Sequence, residues 1–365
     1  MGARLYGRTV GNGSLSVVTA GFREALESFG LLEGVVSIDR SGGDEESDGP
    51  AGALARDGVF VGNLGHVMRM QIGAKHERHW VQVTPNSTHI PKKLLAAVVN
   101  LPNARILSAS AWGSNVIRSN LADMGFDWNS DRVLTVCHGV SAAGVAPIPE
   151  EIADTRRDYS LGFFRVAHFS TSDGERKGTL ELLKAWNILL QSNQFAEKPQ
   201  LLLVMDHHAR EALLQRVYGD VIVPVHESVR FLPRGDMGSA DMSRFLCRQH
   251  VLCAPSRGEG FGLVPLEARA CGVPVVATTM TGHSAGHVRG PGVLPIVQAS
   301  KLLPIDDGAG ALAPGVDPEE IAAALMSAYK AWPGLSAMSE VQAPGVIASW
   351  SWRNQLAPLV NHLRG

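Results

Sequence analysis

Two glutamates bracket a glycine-containing turn in the stretch SRGEGFGLVPLEARACGVPVVAT: Glu259 precedes the glycines "GFG", and Glu267 follows them. The apolar run before the turn predicts a strand, and Pro265 and Gly272 indicate where a short helix begins and ends. Glycines let backbone N–H groups approach a ligand, and a helix N-terminus offers unpaired donors with partial positive charge. The turn is therefore expected to bind an anion such as phosphate. A nucleotide sugar fits this layout, because its diphosphate lies between a sugar and a ribose that both carry hydroxyls for the two carboxylates.

A plainer interpretation of the same residues stays open. Glu267 would favour its own helix N-terminus, and Glu259 would be a solvated loop acid. A glycine-rich turn before a helix occurs in many nucleotide-binding folds, so the spacing alone does not separate the two interpretations.

The composition is that of a globular chain: 365 residues, 45 % hydrophobic and 19 % charged, which argues against disorder. This length predicts two domains, each with its own core. A formal net charge of −2 gives no global attraction to nucleic acid or anionic lipid, although a local basic surface is compatible with it. No signal peptide and no apolar run of about 18 residues is visible, so a cytoplasmic protein is expected. The four scattered cysteines are expected to be buried free thiols.

Short apolar runs alternate with helical patterns, which predicts parallel sheets covered by helices. The alternation restarts near Phe163, after the segment APIPEEIAD, whose two prolines suit a linker. We therefore expect an α/β protein with two doubly wound domains that bind ligands at the carboxyl ends of their strands. The tandem His207–His208 after a buried strand is expected to be structural rather than metal-binding, because adjacent side chains of a strand or turn point apart.

The sequence EGFGLVPLEA, followed by CGVPVVAT, resembles the E-x7-E signature of retaining GT-B glycosyltransferases of the glycosyltransferase family 4 type. Weaker similarity runs through ERKGTLELLKAW, SVRFLP, TVCHGVSAAGVAPIP and SWSWRNQLAPLVNHL. The resemblance implies a GT-B fold, in which two Rossmann-like domains face a central cleft. Residues 1–150 would bind the acceptor, residues 151–345 would bind the nucleotide sugar, and a C-terminal helix in residues 346–365 would pack back on the first domain.

The resemblance also implies roles for the donor-site residues. Glu259 would hold hydroxyls of the donor sugar, Glu267 would accept hydrogen bonds from the ribose, and Lys177 would neutralise the diphosphate. Cationic side chains and backbone N–H groups would replace a metal, so no metal or cofactor is expected beyond a nucleotide-sugar co-substrate, with UDP as the expected nucleotide. The catalytic residues implied are Glu259, Lys177 and His66. The other donor-site residues implied are Arg176, Gly260, Phe261, Gly262, Leu263, Arg230, Phe231, Ser170, His283, Gly11 and Gly13.

The N-terminal domain is expected to bind the acceptor. Its stretch GHVMRMQIGAKHERHWVQVTPNSTHIPKK concentrates basic residues and histidines against one glutamate. That pattern fits an exposed helix and loop, or a surface for an anionic acceptor such as a phosphorylated sugar, a lipid headgroup or a DNA backbone. His66 would lie near the transferred sugar, with a structural role as the alternative. The expected acceptor-site residues are Arg69, Lys75, Arg78, His89 and Lys92.

These features together predict a retaining, metal-independent transfer of a sugar from a nucleotide-diphosphate sugar to a hydroxyl of a small molecule, glycan or lipid. One alternative acceptor is a hydroxymethylated pyrimidine in DNA, which the enzyme would have to reach or flip out of the duplex. An alternative of another class is a non-catalytic nucleotide-binding or scaffold protein.

Overall fold

The structure, a computed structural model, describes residues 2–9, 14–37, 56–61, 76–170, 175–215, 217, 225–235, 237–304 and 312–365. The chain divides into two compact units. The first consists of residues 1–141 together with residues 350–365, and the second of residues 142–349.

In the described part of the first unit, six parallel strands form one sheet with helices packed beside it. The strands are β1 (Ala3–Gly7), β2 (Leu32–Ser37), β3 (Asp57–Val61), β4 (Arg78–Gln82), β5 (Ala104–Ser108) and β6 (Val133–Thr135). The helices between them are α1 (Ser14–Ser28), α2 (Lys92–Val99) and α3 (Ala111–Ala122). The strand order is β2-β1-β3-β4-β5-β6. Strand β3 is buried along its whole length, as in a parallel sheet covered on both faces.

A second parallel sheet lies in the second unit, with strand order β12-β11-β10-β7-β8-β9 among the described residues. Its strands are β7 (Phe163–Phe169), β8 (Lys198–Met205), β9 (Val229–Pro233), β10 (Val251–Ala254), β11 (Val275–Thr278) and β12 (Val293–Ile296). An antiparallel hairpin follows, formed by β13 (Gln298–Pro304) and β14 (Leu312–Val316). The helices are α4 (Pro149–Ser160), α5 (Thr179–Gln191), α6 (His207–Gln215), α7 (Ser239–Cys247), α8 (Leu263–Ala270) and α9 (Pro318–Ser349). The two sheets confirm the expected α/β class.

The segment APIPEEIAD is not a linker, because Pro149 opens helix α4. A proline at the first helical position loses no backbone hydrogen bond, since the N–H at that position has no intrahelical acceptor. Glu150 and Glu151 then stabilise the first turn through the helix dipole. Glu151 also accepts from the Arg248 guanidinium at 2.5 and 2.9 Å. The expectation of a linker was wrong because it treated both prolines as helix breakers.

The C-terminal helix α10 (Trp352–Arg364) is part of the first unit and packs on α1, as the resemblance implied. The buried Trp352 ring lies 6.2 Å from that of Phe22, centroid to centroid. Two glycines make room for it. A Cβ at Gly21 would lie 2.0 Å from the indole, and one at Gly139 would lie 2.6 Å from the Trp352 backbone nitrogen.

Candidate functional site

The turn between β10 and α8 has the form that the sequence predicted, and it depends on a glycine at the helix start. Gly262 is the N-cap of α8, with φ +97°, in the left-handed region that residues with a Cβ avoid. A Cβ at Gly262 would lie 2.5 Å from the His283 ring. A Cβ at Gly282 would lie 2.3 Å from the Glu259 carbonyl oxygen, so the loop after β11 packs directly against the turn.

A second helix begins beside this turn, and it too begins at a glycine. Gly178 is the N-cap of α5, with φ +70°, and a Cβ there would lie 2.2 Å from the Pro255 carbonyl oxygen. This close approach places the residues just before α5 against the turn. The Arg257 N–H donates to the Arg176 carbonyl at 2.8 Å, and the Arg176 guanidinium donates to the Gly258 carbonyl at 2.6 Å.

The Glu259 carboxylate is buried between these two helix starts and is surrounded by donors. The Lys177 ammonium forms an ion pair with it, the Arg176 guanidinium lies 3.5 Å away, and the Ser256 hydroxyl donates to it at 3.2 Å. Burial by itself would raise the pKa of Glu259, but Lys177 and Arg176 outweigh it and the pKa falls to about 2. Glu259 is therefore an ionised buried carboxylate, not the solvated loop acid of the plainer interpretation.

Thr281 holds the backbone of the turn in an uncommon conformation. The Glu259 N–H donates to the Thr281 hydroxyl at 3.1 Å, and the Gly282 N–H donates to the Glu259 carbonyl at 2.6 Å. Thr281 has φ +55°, which is rare for a β-branched residue. Such strain is often found at functional sites, where the surrounding structure enforces it.

Glu267 lies one turn into α8, and its environment is the opposite of that of Glu259. Its side chain is also nearly buried, but its carboxylate makes no hydrogen bond or ion pair to any of the described residues. Burial raises the pKa of Glu267 to about 7, and the positive charge of Arg234 only partly opposes this rise. Glu267 is thus an acceptor whose hydrogen-bonding capacity is free for a ligand.

Arg234 follows β9 and lines a cavity of about 380 Å³ in the second unit. Its backbone N–H donates to the Met205 carbonyl at 3.2 Å, at the end of β8. Burial lowers the pKa of its guanidinium, while the charges of Glu267 and Asp206 raise it. Within the described part of the chain, the guanidinium forms no hydrogen bond or ion pair. The cavity is lined by Val204, Leu232, Pro233, Arg234, Gly235, Met237, Asp241 and Phe245.

The remaining predicted residues of the turn lie at the start of α8. The buried Phe261 ring stacks on His287, with centroids 4.0 Å apart. Gly260 is buried and Leu263 is partly exposed. His283 is buried against Gly262, and its Nδ1 lies 2.9 Å from the Thr278 carbonyl, which it can reach only as a donor. Nδ1 therefore carries the proton, and burial lowers the pKa of the ring.

Three other predicted donor residues lie on, or directly after, strands of the second sheet. Ser170, after β7, is fully buried, and its hydroxyl lies 2.6 Å from that of Thr179 at the start of α5. Arg230 is an exposed residue of β9, and Phe231 beside it is partly exposed, with the Arg210 guanidinium 5.2 Å above its ring.

The predicted residues of the first unit divide into those that the structure describes and those outside the described residues. Arg78 makes a bidentate ion pair with the buried Asp57, at 2.6 and 2.7 Å, and donates to the Leu363 carbonyl of α10 at 3.3 Å. His89 is partly exposed in the loop before α2, and Lys92 is exposed at the start of that helix. The predicted residues outside the described residues are Gly11, Gly13, His66, Arg69 and Lys75.

Arg257 was missed from the sequence, although it directly precedes the Gly-Glu of the turn. Its buried guanidinium donates to the carbonyl oxygens of Leu303 at 3.2 Å and Pro304 at 2.9 Å, and lies 3.3 Å from the Glu175 carboxylate. It therefore ties the β13–β14 hairpin to the segment that carries Glu259. Arg234 was also missed. A cation placed immediately after a strand was the available signal in its case.

The tandem histidines do not point apart as expected. His207 and His208 lie at the exposed start of α6, and their ring nitrogens lie with a Glu211 carboxylate oxygen within 4.8 Å of one another. The prediction assumed strand or turn geometry, whereas the helix brings His207 and Glu211, four residues apart, onto one face, with the His207 Nδ1 3.5 Å from the carboxylate.

A family model matches most of the second unit. Residues 164–331 match the family model of Glycosyl transferases group 1, a range that contains both glutamates, Lys177 and Arg234. Among the described residues, no helix is both long enough and apolar enough to span a bilayer.

Curated relatives match over limited stretches. The D-inositol 3-phosphate glycosyltransferase of Geodermatophilus obscurus is 30 % identical over 200 residues, which cover 50 % of this chain and 38 % of the relative. The GDP-mannose-dependent monoacylated alpha-(1-6)-phosphatidylinositol monomannoside mannosyltransferase of Corynebacterium glutamicum is 32 % identical over 144 residues, covering 37 % and 35 %. The chain thus spans little more than a third of the length of these relatives.

Solved structures match over the whole chain at low identity. HepE of Anabaena, in complex with UDP and glucose, gives a TM-score of 0.66 at 15 % identity over 99 % of this chain and 100 % of HepE. Sucrose-phosphate synthase from Thermosynechococcus elongatus gives a TM-score of 0.65 at 16 % identity, covering 100 % and 99 % of the two chains. The likeness shows that the fold is GT-B, as the sequence predicted.

Proposed function

We propose that this chain is a retaining, metal-independent glycosyltransferase that moves a sugar from a nucleotide-diphosphate sugar to an acceptor hydroxyl. The observation that carries the proposal is the buried Glu259 carboxylate, which Lys177 and Arg176 keep ionised where α5 and α8 begin. The names of the matched family and of the relatives support the same reaction class.

The diphosphate of the donor is proposed to bind at the start of α8. The first N–H groups of a helix have no intrahelical acceptor and carry partial positive charge, so they suit a phosphate. In this chain Gly262 and Leu263 carry such donors at the start of α8, and the Phe261 N–H directly precedes them. Lys177 lies close by, and its ammonium has three N–H donors, so it can contact the diphosphate while still bonded to Glu259. Lys177 and Arg176 then supply the positive charge that stabilises the leaving diphosphate.

The two glutamates are proposed to hold the two ends of the donor. Glu259, ionised and fixed, accepts hydrogen bonds from hydroxyls of the transferred sugar. Glu267, unpartnered among the described residues, accepts from the ribose hydroxyls. The acceptor hydroxyl attacks the face that the diphosphate leaves, and a leaving phosphate oxygen takes the proton. Catalysis on this scheme comes from positioning and electrostatics.

For the donor we propose a UDP-sugar, because HepE, of the same fold, was solved with UDP and glucose. For the acceptor we propose the hydroxyl of a phosphorylated polyol, because relatives are named for D-inositol 3-phosphate. The N-terminal residues proposed to bind it include His66, Arg69, Lys75, His89 and Lys92. Arg78 is a weaker candidate, because Asp57 and α10 already engage its guanidinium. The pyrimidine acceptor in DNA and the cytoplasmic location stay predictions.

The proposal is tested with Glu259→Gln, a nearly isosteric change that removes the charge. Wild-type protein is first screened by thermal shift with UDP-, GDP-, ADP- and TDP-sugars, because a ligand that binds the folded state raises its apparent stability. The best donor is then assayed with inositol phosphates by release of the nucleoside diphosphate. We expect Glu259→Gln to lose transfer by about 100-fold or more while the nucleotide still raises the melting temperature. The matched control is Glu227→Gln, which changes an exposed glutamate of the same unit.

Three results would count against the proposal. The first is a wild-type protein that no donor stabilises. The second is donor binding without turnover on any acceptor, which would favour the scaffold alternative. The third is a Glu259→Gln variant that transfers sugar at the wild-type rate.

A further inference from the structure

We infer that the first unit carries a phosphate-binding site at the amino edge of its sheet, where Arg105 and Arg132 would bind a phosphate monoester. They belong to a group of four arginines, completed by Arg56 and Arg78 and called here the arginine cluster. The strands of this sheet are parallel, so the amino edge is opposite to the carboxyl ends, where doubly wound sheets bind substrates. His89, proposed for the acceptor, follows β4 at that other edge. The inference therefore goes beyond the proposed function and does not rest on it.

The strand register places the arginine cluster around one aromatic ring. Asp57 and Arg78 are register partners at the starts of β3 and β4, and Trp80 is the partner of Arg105 on β5. Arg132 directly precedes β6, whose register with β5 puts it beside Arg105. Register partners on parallel strands share a face of the sheet, and so do residues two apart along one strand. These side chains therefore lie together on one face, where the Trp80 indole N–H donates to Asp57 at 2.8 Å.

Arg105 lies in this group without a hydrogen-bond acceptor. Its guanidinium carbon is 5.0 Å from the centroid of the Trp80 ring, a cation–π contact that leaves its N–H donors unused. Its Nε is buried and has no hydrogen-bond partner among the described residues. Burial lowers the pKa of the guanidinium, and the charges of Arg78 and Arg132 lower it further, with partial relief from two aspartates. Since a buried donor without an acceptor costs free energy, an anion that reaches this guanidinium would bind favourably.

The charges of the arginine cluster are not balanced. Asp57 accepts two hydrogen bonds from Arg78 and lies 3.5 Å from the Arg56 guanidinium. Arg132 is exposed, and its guanidinium forms no hydrogen bond or ion pair with any described residue. Asp131 is the second carboxylate whose charge acts on the cluster. The four arginines thus face two aspartates, which leaves two positive charges for a ligand.

A phosphate monoester matches this charge and these donors. Near pH 7 it carries about −1.5 to −2 charges and offers three strong acceptor oxygens. Guanidinium groups donate pairs of parallel N–H groups to such oxygens, so Arg105 and Arg132 can share one phosphate. A carboxylate has a single charge and two oxygens, and it would satisfy only one of the two arginines. The phosphate would belong to a soluble ester or to a lipid headgroup, and the test separates these sources.

Isothermal titration of glycerol 3-phosphate into wild-type protein, Arg105→Gln, Arg132→Gln and Arg23→Gln tests the inference. Glycerol is the matched ligand without phosphate, and Arg23, an exposed arginine of α1, is the matched control residue. We expect wild-type protein to bind the phosphate ester but not glycerol, and both cluster variants to bind it at least about tenfold more weakly, as for a lost charge-assisted hydrogen bond. Arg23→Gln should match wild type. Thermal melts without ligand check folding, and the exposed Arg132 keeps the inference testable if Arg105→Gln unfolds.

The remaining outcomes identify the source of the phosphate or overturn the inference. The lipid arm is co-sedimentation with phosphatidylcholine vesicles, with and without phosphatidic acid, whose headgroup is a phosphate monoester. Sedimentation that requires phosphatidic acid and is lost in both cluster variants would support the site with a lipid as its source. Binding of neither form, or binding that both cluster variants retain, would overturn the inference. Binding that only Lys92→Gln loses would place the phosphate at the proposed acceptor position, which overturns the inference and leaves the proposed function intact.

Discussion

Glu259 and Glu267 lie in the same short segment and are almost equally buried, at 7 % and 8 % exposed, yet their environments are opposite. Glu259 has a lysine, an arginine and a serine around its carboxylate, and its pKa falls to about 2. The Glu267 carboxylate has no hydrogen-bond or ion-pair partner among the described residues, the charge of Arg234 only partly offsets its burial, and its pKa rises to about 7. Burial pushes both pKa values upward, so the neighbours decide the charge of each.

The difference suggests a division of roles between the two carboxylates. A carboxylate held ionised by fixed cations is organised before the ligand arrives, and such preorganisation is the main electrostatic resource of an active site. A carboxylate without partners is costly in the empty protein and gains its hydrogen bonds when a ligand supplies them. Under the proposed function, the Glu259 end would serve the transfer and the Glu267 end would serve donor binding.

Lys177→Met should have the largest effect, because it removes the main partner of the buried Glu259 carboxylate. Loss of one member of a buried ion pair typically destabilises a protein by about 3–5 kcal/mol. Urea unfolding at pH 7 measures this change, and Lys177→Arg should recover most of it. The pKa of Glu259 lies below its unfolded value, so its stabilisation is present above pH 4.5 and is lost as the pH falls toward 2. Lys177→Met should reduce that acid-dependent loss, and an unchanged acid profile would contradict the environment described for Glu259.

Glu267→Gln should change stability with the opposite dependence on pH. The folded-state pKa of Glu267 lies above its unfolded value, so its contribution is favourable below pH 4.5 and is lost as the pH rises through about 7. A shift from 4.5 to about 7 corresponds to roughly 3 kcal/mol. At pH 8.5 we therefore expect Glu267→Gln to be more stable than wild type by up to that amount, and at pH 4 to be nearly equal. Urea unfolding at both pH values measures the difference, and an equal effect at both would show that Glu267 is not desolvated.

Gly262→Ala should disturb the surroundings of both carboxylates, because Gly262 lies between the two glutamates. The left-handed backbone alone costs about 1 kcal/mol for alanine, and the new Cβ would also clash with His283. Gly30→Ala is the matched control, since Gly30 has φ +67° and no atom lies within 4 Å of the position that its Cβ would take. We expect thermal unfolding to show a larger loss for Gly262→Ala, and titration with UDP to show weaker binding in that variant alone. Similar losses of stability in the two variants would mean that the His283 ring moves aside at little cost in free energy.

Ser256→Ala should have the smallest effect. The Ser256 hydroxyl donates to Glu259 at 3.2 Å, and a hydrogen bond to a charged group typically contributes about 1.5–3 kcal/mol, less when cations remain on the same oxygen. We expect a loss near 1 kcal/mol in urea unfolding at pH 7, on that principle. The pH dependence due to Glu267 should stay unchanged, because the two carboxylates have separate partners. A change in that pH dependence would show that the environments of Glu259 and Glu267 are coupled.

Local chemistry accounts for what the sequence predicted well. One short segment contains the turn before α8, its glycine N-cap and the two glutamates. Another short segment contains Lys177 and Gly178. The C-terminal helix was also anticipated, through its resemblance to known sequences. In each case, short-range residues determine the backbone conformation.

Long-range packing accounts for what was missed. Arg257 donates hydrogen bonds to carbonyl groups of β13, which lie far from it along the chain. No local sequence pattern therefore predicts the hairpin or the arginine that holds it in place. Arg234 matters only because the folded chain brings it near Glu267. The pKa difference between the two glutamates has the same origin, since burial and charge partners exist only in the fold. The role of Pro149 was misjudged for a local reason, because proline both ends and begins helices.

The position of α10 has a consequence for protein synthesis. The second unit is continuous in sequence, whereas the first closes only when residues 350–365 join residues 1–141. During translation, the unit made first therefore stays incomplete until α10 leaves the ribosome, with the site that receives Trp352 still open beside Gly21 and Gly139. The unit made second has all its residues before that moment, so the order of completion is the reverse of the order of synthesis.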